Sequence, residues 1–101
     1  MEVIINTEGA ENVAQLIGRL DTAASQSVSE ALQPLMDKAN ETIVLDCHEM
    51  SYIASSGLRI FLNIRKATAL KGGKVIVRGI NSDIRNVFMM TGFLNLFQIE
   101  D

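Results

Sequence analysis

The chain has 101 residues, of which 48% are apolar and 21% charged, and a formal net charge of −3. This is the balance of a globular chain, not a disordered one, and the length leads us to expect one domain over residues 1–101. The acidic balance argues against nucleic acid as a partner, since phosphates need a basic footprint, and no apolar run reaches the ~20 residues that span a bilayer.

No basic start followed by a long apolar block is visible, so neither a signal peptide nor membrane insertion is expected. One cysteine, Cys47, cannot close an internal disulfide, which fits a reducing, cytoplasmic compartment.

Val3-Ile4-Ile5 predicts a first strand, with Gly9 and Asn12 in a turn leading to a hairpin partner over residues 13–20. Asp21-Thr22 offers a helix N-cap. Ala24, Val28, Ala31, Leu32, Leu35, Met36 and Ala39 then recur at helical spacing, with Pro34 set to break the helix near Gln33. Thr42 to Cys47 reads as a buried central strand, followed by a polar loop at His48-Glu49. A second helix is expected from Ser55 to about Leu70, closed by Gly72-Gly73. Lys74 to Arg78 is a β-branched strand, Asn81 or Ser82 caps a third helix ending at Gly92, and Leu96 to Ile99 makes a short last strand. Alternation of strand and helix after Asp21 implies right-handed crossovers and parallel pairing. The expected class is α/β, a mixed sheet of about five strands with an N-terminal hairpin and helices mainly on one face.

Apolar side chains cover more than half the circumference of the second helix. Leu58, Phe61, Leu62 and Ala69 lie on one side, and Ile60, Ile64 and Ala67 nearly opposite. Either the third helix covers Ile60 and Ile64, or part of that second side is a partner-binding patch. Of Met89 and Met90, one is expected in the core and one at an interface.

Asp46 and His48, two apart at a strand end, point the same way, and Ser56 follows at a strand-to-helix turn. However, Ala54-Ser55-Ser56-Gly57 lacks the first glycine of a nucleophile elbow, so a serine hydrolase is disfavoured. Cys47, His48 and Glu49 are consecutive and cannot chelate a metal together, and no cofactor motif is present. What remains is regulation. A helix start exposes hydroxyls and free N–H groups, where a phosphoryl group on Ser56 is electrostatically welcome and would place charge on a binding surface.

Ile43 to Asp46 followed by Met50 to Leu58 resembles the strand–loop–helix signature of STAS domains, the anti-sigma factor antagonist family. Gly18 to Thr22, Lys71-Gly72-Gly73, Ile84 to Phe88 and Thr91 to Phe97 resemble other parts of that family's pattern, so the match covers nearly the whole chain. By that resemblance Ser56 is the phosphate acceptor of an anti-sigma factor that is also a serine kinase. The unphosphorylated form binds that kinase and frees the sigma factor, and a metal-dependent serine phosphatase resets the switch. The kinase-facing surface implied is Asp21, Thr22, Ala54, Ser55, Gly57, Arg59 and Ile60. In one departure, the family's aspartate ahead of the serine pair is Ala54 here. Because some STAS domains serve lipid-transport complexes, a subunit with no phosphorylation switch is the alternative.

Overall fold

A computed structural model describes residues 1–101. The three-residue apolar run near the start seeds β1 (Glu2–Glu8), which turns through Gly9 and Ala10 into β2 (Glu11–Leu20). Asp21 ends β2 and caps α1 (Thr22–Ala31), its Oδ1 accepting the Ala24 N–H at 2.9 Å. Pro34 then splits the apolar stripe as expected, since proline is tolerated only in a first turn. A short α2 (Gln33–Met36) restarts there, and Ala39 is buried in the turns beyond it.

Strand β3 (Thr42–Ile53) runs well past its expected end at Cys47, so His48 and Glu49 belong to a strand and not to a loop. The cause is visible in the burial. Cys47, Met50 and Ile53 are buried at three-residue spacing, which breaks the two-residue alternation of a plain strand. Register shifts against β2, between Gln15 and Ile17 and between Gly18 and Arg19, absorb the mismatch. Helix α3 (Ser55–Lys71) follows after one residue and ends at Gly72, whose φ of 82° is the left-handed cap. Strand β4 (Lys74–Arg78) lies where expected. Helix α4 (Ser82–Thr91) is capped by Asn81, whose Oδ1 accepts the Ile84 N–H at 2.8 Å. A 3-10 turn (Phe93–Asn95) occupies the approach to the last strand, so β5 (Gln98–Glu100) starts two residues later than expected.

The sheet order is β1-β2-β3-β4-β5, antiparallel in the first pair and parallel in the rest. All helices lie on one face. Val28, Leu32, Leu35, Leu58, Phe61, Ile64, Ile84 and Phe88 share one core with Ala14, Leu16, Leu45, Cys47 and Val77 of the strands. Phe61, Phe88, Phe93 and Phe97 meet edge-on or tilted at its centre. On the helix-free face Val13, Val44 and Ile76 form a separate buried cluster. Arg78 is bonded there to Glu100 at 3.1 Å and to Glu11 at 3.5 Å.

The surplus apolar side of α3 is not an open patch. Ile60 and Ile64 are buried, and α1 and α2, not α4, cover them, through Leu32 and Met36. The break at Pro34 lets this segment bend around α3. Met89 and Met90 are both exposed, so neither contributes to the core.

Candidate functional site

Leu20 and Ile53 are paired at the carboxyl ends of β2 and β3, and the chain leaves the sheet in both places to start a helix. The Ala54 N–H donates to the Leu20 carbonyl at 2.9 Å, which seats the starts of α1 and α3 side by side. Asp21, Thr22, Ala54, Ser55, Ser56 and Gly57 are thus gathered at one end of the molecule. Arg59 is exposed one turn further along α3, whereas Ile60 faces the core and offers no surface to a partner.

Ala54 is the N-cap of α3, extended at φ −91° and ψ 171°, and has no side chain able to accept a hydrogen bond. The first bond of the helix runs from the Leu58 N–H to the Ala54 carbonyl at 3.0 Å. The N–H groups of Ser55, Ser56 and Gly57 consequently have no acceptor in the chain. The other two long helices differ, since Asp21 and Asn81 cap them.

The two serines are placed differently. Ser55 is exposed, but the Ser56 hydroxyl is enclosed and makes no hydrogen bond, so the expectation that both hydroxyls face outward holds for Ser55 only. Gly57 is buried where the first turn meets the sheet. A Cβ there would lie 2.7 Å from Leu20 Cγ and 2.8 Å from Ile53 Cγ1, well inside contact distance. Glycine at this position is a packing requirement: it lets the serine turn sit directly on the strand ends.

Two residues beside the serine turn have no counterpart in the expected set. Arg19 and Tyr52 are register partners, and the guanidinium carbon lies 4.3 Å from the ring centroid. Tyr52, 40% exposed, also lines a shallow groove of about 100 Å³ with Ser51, Ile53, Asp83, Ile84 and Val87. The pairing of Leu20 with Ile53 sets this juxtaposition, and no local motif in the sequence carries it.

Asp46 and His48 do meet, Nδ1 to Oδ1 at 2.7 Å, with the imidazole against Gly79. They stand on the helix-free face, however, while α3 and its serine turn stand on the other, so no Ser–His–Asp arrangement forms. Cys47 points into the core, and burial first, then the charge of Asp46, push its thiol well above the ordinary range. No helix is long and apolar enough to cross a membrane.

A sequence pattern described as the STAS domain matches residues 4–101, and the chain belongs to that family. It is 30% identical over 87 residues to BtrV of Bordetella bronchiseptica, provisionally named an anti-sigma factor antagonist. That match spans 86% of this chain and 75% of BtrV. Among solved structures, a Thermotoga maritima protein with a similar provisional name superposes with a TM-score of 0.89. The identity is 18%, over 98% of this chain and 86% of the other. The Bacillus cell fate determinant SpoIIAA in its phosphorylated form superposes with a TM-score of 0.73 at 19% identity, over 97% of this chain and 90% of that one. At such identities the two structures establish the shared fold.

Proposed function

We propose that this chain is an anti-sigma factor antagonist, a cytoplasmic binding module and not an enzyme. In its unphosphorylated form it binds an anti-sigma factor that is also a serine kinase, and so releases the sigma factor. Phosphorylation at Ser56 ends the binding, and a metal-dependent serine phosphatase restores it. The observation that carries this reading is the uncapped start of α3, where the serine pair sits on free N–H groups beside Asp21 and Thr22. The name of BtrV and the phosphorylated state of SpoIIAA support the same reading.

A phosphate on Ser56 carries about −1.5 to −2 charges, and the free N–H groups and helix dipole favour it at this position. A partner that buries Ser55, Arg59 and the Tyr52 groove must then desolvate that charge or leave. A penalty of about 3 kcal/mol corresponds to roughly a hundredfold loss of affinity. Because the Ser56 hydroxyl is enclosed, transfer requires its side chain to rotate outward before the phosphoryl group arrives.

Incubation with ATP and anti-sigma kinases tests this, with the modified residue mapped by mass spectrometry and binding followed by calorimetry. Ser56→Ala should abolish modification and Ser55→Ala should not, while Ser56→Asp should weaken kinase binding. A chain that stays unmodified, or a Ser56→Asp variant that binds as tightly as the parent, would rule the switch out.

A further inference from the structure

We propose that a second copy of this chain docks on the free edge of β1, joining two sheets about a two-fold axis through Ile4. In the sheet order β1 is an edge strand, and all of it except Val3 is exposed. The hairpin phase determines which backbone groups face outward. Glu8 and Glu11 close a two-residue turn and must therefore be a hydrogen-bonded pair. The same phase along the strand directs the N–H and C=O of Glu2, Ile4, Asn6 and Glu8 to β2. Those of Val3, Ile5 and Thr7 point into solvent as an unpaired ladder.

Edge strands are ordinarily blunted by shortness, proline, lysine or a bulge. Strand β1 has none of these, and its charges, Glu2 and Glu8, stand only at its two ends: it is seven residues long, keeps one register with β2 throughout, and exposes Ile4 (37%) and Ile5 (39%) on opposite faces. An occupant must match an apolar residue on each face, and the run Val3-Ile4-Ile5 is itself such a strand. The opposite edge is not. Strand β5 has only three residues, with Gln98 exposed and Glu100 drawn to Arg78. Head-to-tail addition of β1 to β5 is therefore poorly matched, whereas β1 against β1 closes on itself.

Charge selects the register. Two-fold pairing centred on Ile5 would set Glu2 opposite Glu8 twice, and directly opposed like charges are unfavourable. Centred on Ile4, the pairing sets Val3 against Ile5 with mutual main-chain hydrogen bonds, and Glu2 against Asn6. No carboxylates then face each other. The serine turn lies at the strand ends, not along this edge, so the docking is independent of the reading given above.

Sedimentation of the whole chain over a concentration series up to millimolar is the first test. The mass should rise toward that of two chains, and Ile4→Lys should weaken association at least about tenfold by opposing two ammonium groups across the axis. A mass that stays monomeric, or an Ile4→Lys variant that associates as tightly as the parent, overturns the proposal. So does a parent that is monomeric alone and takes only an extended foreign peptide on this edge. Ile4→Cys gives a second readout. A non-hydrogen-bonded pair has Cα atoms about 4.5 Å apart, within disulfide range, so mild oxidation should link two copies. Asn6→Cys, which faces Glu2 of the other copy, should not link, and equal linking of the two overturns the register. Both positions are exposed, circular dichroism checks that each variant folds, and the native Cys47 is buried.

Discussion

The main-chain bond from Ala54 to Leu20 joins two helix starts that the sequence separates by more than thirty residues. On one side of it the start of α1 has a carboxylate cap at Asp21, and on the other the start of α3 has none. The contrast leads to the first expectation. Ala54→Asp and Ala54→Ser should each supply an acceptor for the free N–H groups of the serine turn. A gain of about 1 kcal/mol is expected, which for a domain of this size raises Tm by roughly 4–8 °C in a thermal melt.

Gly57→Ala should go the other way. Alanine is the better helix former by about 1 kcal/mol, yet its methyl would enter the space held by the Leu20 and Ile53 side chains. Overpacking of that kind costs about 1–3 kcal/mol, so the net effect is destabilising, and urea denaturation measures it.

The Ser56 hydroxyl is buried without a partner, a state that costs about 1–3 kcal/mol. Ser56→Ala should therefore leave stability unchanged or raise it, in the same titration that scores Gly57→Ala. A marked loss of stability would mean that the hydroxyl has a structural bond, and would count against its retention for modification.

Cys47 supplies a pH dependence. Its folded thiol titrates far above the ordinary 9.0, through burial first and the Asp46 charge second. Above that ordinary value the unfolded chain gives up the thiol proton and the folded chain keeps it. The unfolded state then binds fewer protons, so stability falls as pH rises, and the contribution is complete at neutral pH. Denaturant titrations at neutral pH and at about pH 10 should show a steeper alkaline loss for the parent than for Cys47→Ala. A thiol reagent should modify the native chain only as fast as it unfolds.

Much of the architecture was legible because local chemistry dictated it. The β-branched run from Lys74 to Arg78, the caps Asp21 and Asn81, the break at Pro34 and the glycine stops at Gly72 and Gly92 all stand where the residues imply. The errors came from relations that only the assembled sheet defines. The far half of β3 was hidden because the burial of Cys47, Met50 and Ile53 follows bulges in β3 itself, not a strand period. The cover over Ile60 and Ile64 depends on where the chain goes after Pro34, which periodicity does not encode. The serine pair itself was evident, but which hydroxyl is enclosed depends on side-chain packing, and the Arg19–Tyr52 stack depends on strand register.

That stack has a spectroscopic consequence. The chain contains no tryptophan and one tyrosine, Tyr52, which stands beside the serine turn with a guanidinium over its ring. Emission excited on the tyrosine band, to the red of where the four core phenylalanines absorb, therefore comes from Tyr52 alone. A partner that covers the groove, or a charge that draws Arg19 off the ring, changes that signal, while events far from the ring leave it as it was.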